Sequence, residues 1–227
     1  MLTDGQLLKG LSDTVRTVLM ENVSNTSING DMSGTPSSMA DIIFYRTDKK
    51  VDTGTEVKCI LDYEKRFDRM QNHSGEHILT GVIHREYGLD NVGFHLSDEE
   101  PVTLDINGKL TYEQVLEMEK EANRVIYANM PIVDSYPSKE ELADITYRSK
   151  IEIDGQVRLI TIGDDNETVD ICACCAPHVQ LSGEIGSIRL LDAMRHRGGM
   201  RLILRSGSYA LEEHQRHHRP RNSLSSC

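Results

Sequence analysis

The longest regular pattern in this sequence is helical and runs from Tyr63 to about Tyr87. Side chains within it return at spacings of three and four, as they do along one face of an α-helix. These side chains are Phe67, Met70, His77, Ile78, Val82 and Ile83. Gly88 follows directly and is a typical helix stop. The sequence therefore predicts one long helix that ends at Tyr87.

Further helices are predicted by their start signals. Thr111 and Gln114 have the spacing of a capping box, which predicts a helix that continues to about Ala128, before Pro131. The segment PSKEEL predicts another short helix.

Strands are predicted where apolar residues alternate, in ADIIFYRT, in TEVKCILDY and in PVTLDINGKL. IEIDGQVRLITIG is typical of a hairpin that turns at Asp154 and Gly155. GEIGSIRLLDAMRHRGGMRLILRSG predicts two strands around Gly198 and Gly199. Because strands and helices follow one another irregularly, an α+β fold is favoured over a doubly wound parallel sheet.

Composition and charge narrow the function classes. No run of about 18 apolar residues is present, and the start MLTDGQLLKG lacks the features of a secretory signal, so we expect a cytoplasmic protein without membrane spans. The net charge of −11 repels polyanions at long range. From residue 186 onward, however, eight arginines face three acidic residues. This segment is either a local nucleic-acid patch or simply a solvated surface.

The first candidate for chemistry is His73-Ser74-Gly75-Glu76-His77, on the long predicted helix. A separation of four places both imidazoles on one helix face, within reach of one metal ion. Two histidines at this spacing also occur by chance. The segment differs from the metalloprotease pattern HExxH, because its glutamate directly precedes the second histidine.

The second candidate is Cys174-Cys175-Ala176-Pro177-His178, in which the proline makes a helix improbable and favours a turn after a strand. A thiolate and an imidazole together are a suitable donor pair for zinc. Alternatively, ICACC is a buried strand of small residues, since free cysteines are usually buried. Cys172 and Cys175 are rival ligands, and on a strand Cys172 shares the face of Cys174.

Both segments, taken together with RHRGGMRLILRSG, resemble a known family. HSGEHILTG and ICACCAPHVQLSGEIGSIRL are similar, in order and separation, to the editing domain of alanyl-tRNA synthetase and to its free-standing relatives, the AlaX-type alanyl-tRNA editing proteins. The similarity runs from about residue 55 to residue 213. The sequence departs from the family pattern CGGTHV at Cys175-Ala176-Pro177, and residues 1–50 contain no counterpart of the family's glycine-rich segment.

The resemblance implies a fold, a cofactor and a reaction. The fold is an α/β sandwich with a mostly antiparallel sheet over residues 61–213, after a small, divergent or incomplete β-rich region (1–60) and before a flexible tail (214–227). The cofactor is zinc, bound by His73, His77, Cys174 and His178. The reaction is hydrolysis, in trans, of the ester in seryl- or glycyl-tRNA of the alanine type.

Other residues are assigned roles around this site. His73 and His77 are expected to contribute to catalysis through the zinc ion that they bind. Glu76 is a further candidate for catalysis, and its side chain is expected either next to the ligands or at the protein surface. The substrate-binding candidates are Ser74, Thr80 and His95. Phe94, which precedes His95, lies in the same segment and is considered with it. The residues expected to contact tRNA phosphates are Arg148, Lys150, Arg195, Arg197 and Arg201.

Three alternative functions remain open at this stage. One is the related editing domain of threonyl-tRNA synthetase, to which SGEIG and RGGMRL correspond less well. Another is a zinc-stabilised RNA-binding module without catalysis. The third is a metal-dependent hydrolase of a small molecule. The sequence does not indicate an oligomeric state.

Overall fold

A computed structural model describes residues 62–97, 100–149 and 155–217. The chain divides into two compact units, residues 1–66 and 67–227, and the elements described below lie in the second, except that the first helix begins at Tyr63. The strands predicted before residue 62 and the expected N-terminal β-rich region lie outside the described residues.

The described residues alternate between helices and strands. The α-helices are α1 (Tyr63–Tyr87), α2 (Tyr112–Tyr127), α3 (Lys139–Ala143) and α4 (Ser208–His217). The strands are β1 (Asn91–His95), β2 (Val102–Ile106), β3 (Ile132–Ser135), β4 (Leu159–Gly163), β5 (Thr168–Ala173), β6 (Ile188–His196) and β7 (Gly199–Ser206). A short 3-10 helix covers Ser182–Ile185.

Helix α1 confirms the prediction for Tyr63 to Tyr87, including its end. The backbone of Gly88 has φ +65°, a left-handed conformation that glycine adopts readily, and its N–H donates to the His84 carbonyl over 2.8 Å. The capping box of α2 is also present, since the Thr111 hydroxyl accepts from the Gln114 backbone and the Gln114 side chain accepts from the Thr111 backbone. Helix α3 corresponds to the one predicted from PSKEEL.

The strands form two antiparallel sheets, which confirms the α+β fold. One has the order β1-β2-β7-β6 and the other the order β3-β4-β5. In β2 and β7, every second side chain is buried, including Leu104, Leu202 and Leu204, so one face of the larger sheet covers the core. Helix α2 adds Val115, Met118, Ala122, Val125 and Ile126 to that core.

The predicted hairpin between β6 and β7 is present. His196 pairs with Gly199, so the turn residues are Arg197 and Gly198, one position earlier than the sequence indicates. Both have positive φ, +44° and +87°, as a two-residue turn that matches strand twist requires. The turn leaves the side chain of Arg197 exposed at its tip.

The hairpin predicted at Asp154 and Gly155 is only partly recovered, because its second arm is a strand over Leu159–Gly163 whose partners are β3 and β5. Residues 156–158 form no strand, and β4 is already paired along both edges, with β3 and with β5. The second arm therefore pairs with the strand that follows it and with the more distant β3. The first arm, residues 150–154, lies outside the described part of the chain.

Helix α4 runs to His217, so the segment predicted to be a tail from residue 214 begins with four helical residues. Residues 218–227 are outside the described range. The remaining domain boundaries stay predictions. Among the described helices, none is both long enough and apolar enough to span a bilayer.

Helix α1 is buried on all sides over its central part, from Gln71 to Ile83. It is close to the smaller sheet at Gly81, where an added Cβ would come within 2.7 Å of the Asp170 Cβ. It is close to the larger sheet at Gly75, where an added Cβ would meet the Ser206 side chain. The two glycines allow the helix backbone to approach both sheets, and this places the HSGEH segment in the interior.

Candidate metal centre

The helix side of the centre consists of His73 and His77, one turn apart on α1. Both are buried, and their ring centroids lie 4.8 Å apart in an edge-to-face arrangement. The His73 Nδ1 lies 3.2 Å from the carbonyl oxygen of Pro177, which leaves Nε2 directed elsewhere. Helical spacing thus places the two imidazoles on one face, as the sequence predicts.

The loop side consists of Cys174 and His178, in the segment that follows β5. The guanidinium of Arg158 donates to the Cys174 carbonyl over 3.3 Å and to the Ala176 carbonyl over 2.9 Å. The hydroxyl of Ser74 lies 3.0 Å from His178 Nδ1. Hydrogen bonds from side chains outside the loop therefore hold both of its ends.

The structure brings the four predicted ligands together. Their donor atoms all lie within 4.8 Å of one another. The His178 ring stacks on His73 with a centroid distance of 4.2 Å and meets His77 edge-on at 4.7 Å. The Cys174 Sγ lies 3.5 Å from His73 Nε2. Two segments about a hundred residues apart thus converge on one point.

The donor set fits a zinc ion. Bond lengths of about 2.0–2.1 Å to nitrogen and 2.3 Å to sulfur imply ligand separations of about 3.3–3.6 Å in a tetrahedron. The distance from Cys174 to His73 already has this value, and no pair has to close by more than about 1.5 Å. His178 Nε2 is buried without a hydrogen-bond partner among the described residues. A ligated metal would satisfy this nitrogen.

The ionisation of the cluster also suits a cation. Burial alone would raise the pKa of the Cys174 thiol, but the three neighbouring imidazoles lower it to about 2. Burial lowers the pKa of His178 to about 3, so its ring is neutral. Burial would also lower the pKa of His77, but the Asp170 carboxylate and two nearby thiols raise it. Cys174 and His178 thus favour the forms that bind metal, a thiolate and a neutral imidazole, whereas His77 has to give up a proton when it binds a metal.

Ser74 and Thr80 do not occupy the positions predicted for substrate contacts. Both are fully buried. The Ser74 hydroxyl lies against His178 and accepts from the Val179 N–H over 3.2 Å. The Thr80 hydroxyl donates to Glu76 over 2.7 Å. Both hydroxyls are committed to neighbours in the protein, and this placement argues against their role in substrate binding.

Glu76 is buried rather than at the surface, with 2% of its area exposed. Its carboxylate accepts from Thr80 and from the Asn91 side-chain amide, and one oxygen lies 4.0 Å from His77 Nε2. Of the two positions considered for Glu76, the structure gives the one next to the ligands. Its catalytic role remains a prediction.

Two residues of β1, Phe94 and His95, were considered as substrate contacts. Phe94 is the one near the cluster, with its ring centroid 5.8 Å from that of His73. His95 follows it in the strand and is exposed. Since successive strand side chains point to opposite faces, His95 is directed away from the face that carries Phe94. The structure therefore does not bring the predicted substrate contact His95 to the cluster.

The residues predicted to contact tRNA fall into two groups. Arg148 and Arg201 each make two hydrogen bonds to one carboxylate, Arg148 to Asp170 and Arg201 to Asp105. Arg148 is also largely buried, which disfavours it as a phosphate contact.

Arg195 and Arg197 are exposed and form no ion pair within the described residues, so they remain available for tRNA phosphates. Lys150 lies outside the described residues.

Sequence reasoning missed Asp170 and underestimated Cys172. Both lie on β5 on the face of Cys174, since the strand alternates, and both are buried. With His77 they form a second group of donor atoms within 4.8 Å of one another. The alternation in TVDICAC contains this signal, because it places residues 170, 172 and 174 on one face.

A cleft of about 830 Å³ opens on the far side of this group. Its lining includes Gly81, Asn91, Arg148, Asp170 and Cys172. None of the four predicted ligands lines it. The cleft therefore borders the residues behind His77 rather than the point where the four donors converge.

Comparison with known proteins finds a family similarity in the second half of the described chain. Residues 157–204 match the threonyl and alanyl tRNA synthetase second additional domain. This match contains Cys174 and His178 together with β6 and most of β7, but not the histidines of α1. This part of the chain is therefore similar to that family. The match confirms the resemblance that the sequence indicates.

Curated relatives agree with this assignment. The chain is 32% identical over 142 residues to the alanyl-tRNA editing protein AlaX-L of Pyrococcus horikoshii, covering 61% of this chain and 33% of that protein. It is 32% identical over 161 residues to the putative alanyl-tRNA editing protein alaX of Saccharomyces cerevisiae, covering 63% and 34%.

A mouse relative, the alanyl-tRNA editing protein Aarsd1 of Mus musculus, is 28% identical over 184 residues, which cover 79% of this chain and 44% of that protein. The chain thus spans about a third to less than half of the length of these relatives.

Proposed function

We propose that this chain is a zinc-dependent aminoacyl-tRNA deacylase that hydrolyses seryl- or glycyl-tRNA of the alanine type, acting in trans. The observation that carries the proposal is the convergence of His73 and His77 with Cys174 and His178, in a domain whose family occurs in two tRNA synthetases. The alanyl-tRNA editing relatives named above support the alanine type.

The proposed zinc site uses four protein ligands, an arrangement that is typical of structural sites. When bound, zinc supplies positive charge that can hold the pocket together or polarise the ester carbonyl, and water activation would require an open coordination position. The chain's own groups hold the ligands: Pro177 orients His73, and Ser74 orients His178. These two of the four ligands are thereby oriented by the protein itself.

The proposed tRNA contact is the tip of the β6–β7 hairpin. Arg195 and Arg197 are exposed there, on a chain whose net charge of −11 disfavours polyanions elsewhere. A small exposed basic element can bind phosphates locally although the whole molecule is acidic. For the editing reaction, the acceptor end of the bound tRNA then has to reach the proposed metal centre.

The test is amino-acid release from four substrates: seryl-, glycyl- and alanyl-tRNA of the alanine type, and seryl-tRNA of the threonine type. We expect fast release of serine or glycine from the alanine-type tRNA and slow release of alanine. Cys174→Ser should abolish release. Cys175→Ser is the matched control, because its thiol is exposed and outside the cluster, and it should retain activity.

Two related readings have specific support. The family includes the threonyl enzyme, so preferential release from seryl-tRNA of the threonine type would replace the alanine assignment. The four-ligand site and a cleft that none of these ligands lines also fit a zinc-stabilised RNA-binding module. Tight tRNA binding without release from any of the four substrates would establish that alternative and exclude the deacylase.

A further inference from the structure

A buried ion pair lies directly behind the helix side of the proposed metal centre. Arg148 donates to both oxygens of Asp170, over 2.7 and 2.6 Å. The exposed fractions of the two side chains are 15% and 3%. Burying a carboxylate is costly unless it is paired and hydrogen-bonded, and this bidentate contact provides both.

The carboxylate of Asp170 is directed at a proposed ligand. Its Oδ2 lies 3.5 Å from His77 Nδ1, an ion-pair separation. That nitrogen is buried, and within the described residues no other group is hydrogen-bonded to it. Gly81, one turn after His77, makes the approach possible, because a side chain there would collide with the Asp170 Cβ and the Val169 carbonyl.

The three imidazoles of the cluster share one arrangement. His73 Nδ1 faces the Pro177 carbonyl at 3.2 Å, and His178 Nδ1 faces the Ser74 hydroxyl at 3.0 Å. His77 Nδ1 faces Asp170. An acceptor at Nδ1 places the proton there and leaves the lone pair of Nε2 for a metal. Asp170 is the acceptor among these that carries a full charge.

A second group of donor atoms competes for His77, so the orientation of its ring decides which group it joins. His77, Asp170 and Cys172 could themselves hold an ion, because their donor atoms lie within 4.8 Å of one another. Both oxygens of Asp170 accept from Arg148, so the carboxylate already faces a full positive charge. A second cation on the same carboxylate would be repelled by that guanidinium.

We propose that Arg148 and Asp170 are positioning residues, which hold His77 so that Nε2 completes the site of His73, Cys174 and His178, and which withhold His77 from the group containing Cys172. The proposal rests on the metal site of the proposed function, but it is independent of the substrate. Neither residue is among the four proposed ligands, and both act through His77.

The test measures metal affinity rather than activity. Zn²⁺ affinity is determined by competition with a chromophoric chelator, and coordination by the absorption spectrum of the Co²⁺-loaded protein. We expect Asp170→Asn to lower Zn²⁺ affinity by about 10–100-fold, the usual effect of losing an outer partner of a metal-bound histidine, and to shift the Co²⁺ bands. Arg148→Lys keeps the positive charge but cannot make the bidentate contact, and it should cause a smaller loss of Zn²⁺ affinity.

The chain provides a matched control for these variants. Arg201 binds both oxygens of Asp105 over 2.6 and 2.8 Å, in the same bidentate geometry. This pair lies on the larger sheet and includes none of the cluster residues. Asp105→Asn should therefore leave both Zn²⁺ affinity and the Co²⁺ spectrum unchanged. Cys172→Ala should also leave affinity unchanged, because the proposed site does not use that thiol.

The outcomes separate this proposal from the proposed function. Wild-type affinity and spectrum in both Asp170→Asn and Arg148→Lys would overturn the positioning role and leave the metal site intact. Loss of the Co²⁺–thiolate band in Cys172→Ala, with its retention in Cys174→Ser, would also overturn it. A wild-type chain that binds no Zn²⁺ would remove the metal from both proposals. If Asp170→Asn fails to fold, as judged by circular dichroism, Arg148→Lys decides.

Discussion

The two halves of the proposed metal centre are positioned in different ways. The helix half, His73 and His77, lies on a helix buried on all sides, so the fold itself fixes these residues. The loop half, Cys174 and His178, lies outside regular structure and is held by Arg158 and Ser74. Changes near the helix half should therefore affect both stability and metal binding, whereas changes near the loop half should affect metal binding alone.

The largest effect is expected from removing a ligand in the loop half. Cys174→Ser should lower Zn²⁺ affinity by more than about 100-fold, since even the loss of an outer partner costs about 10–100-fold. The apparent melting temperature without metal should stay close to that of the wild type. Chelator competition and thermal unfolding with excess EDTA measure the two quantities. A variant that unfolds without metal would contradict the independence of the loop half.

A change in the helix half should reduce both quantities. In Gly81→Ala the new Cβ meets Val169 and Asp170 within 2.8 Å, and overpacking of this kind costs about 1–3 kcal/mol of unfolding free energy. Zn²⁺ affinity should fall with it, because Asp170 has to move. Urea unfolding and chelator competition provide the measurements.

Gly88→Ala is the control for this variant. It introduces strain at a positive φ, yet nothing lies within 4 Å of its added Cβ. It should cost stability through the backbone alone and leave Zn²⁺ affinity unchanged. If the Gly81→Ala variant bound Zn²⁺ as tightly as the wild type, metal binding would not depend on the exact position of the helix half.

A smaller effect is expected when the support of the loop is removed. Arg158→Met deletes the hydrogen bonds to the Cys174 and Ala176 carbonyls and should weaken Zn²⁺ binding by about 10-fold, the lower end for outer partners of a metal site. Asp134→Asn removes the charge of the other partner of Arg158, at 3.3 Å, without touching the loop, and should change nothing. Equal losses in both variants would assign the effect to the ion pair.

The smallest effect lies outside both halves. Arg197→Asn removes one exposed charge from the hairpin tip, and asparagine tolerates the left-handed backbone there. We expect tRNA affinity to fall a few-fold and the salt dependence to weaken by about one phosphate contact, with Zn²⁺ affinity unchanged. Fluorescence anisotropy at several salt concentrations measures this. Arg124→Gln, in an exposed ion-pair network, is the control and should bind tRNA normally.

Local signals in the sequence predicted the helices well. The bounds of α1 followed from its periodicity and Gly88, and the start of α2 followed from Thr111 and Gln114, because helix caps depend on nearby residues only. The partners of β4 were not predicted, because it pairs on one edge with β3, which is distant in sequence, and on the other with β5, which follows it. The polar residues before Ile78 gave no sign of burial, since polarity normally indicates exposure.

The residues of the candidate site could be predicted only in part from local sequence signals. The spacing in HSGEH and CCAPH, together with the family resemblance, named the four residues that the structure brings together. Asp170 and Arg148 were not recognised as a pair, because their contact depends on the pairing of β5 with its neighbours and on the close approach of Gly81. An arginine in a charged sequence resembles a surface residue until its partner is known.

X-ray absorption at the zinc edge of the Zn²⁺-loaded chain tests the central claim most directly. The account predicts three nitrogen ligands at about 2.0–2.1 Å and one sulfur at about 2.3 Å, with the sulfur lost in Cys174→Ser. A shell with two sulfurs, or with carboxylate oxygen in place of imidazole nitrogen, would contradict the convergence of these four residues on one ion.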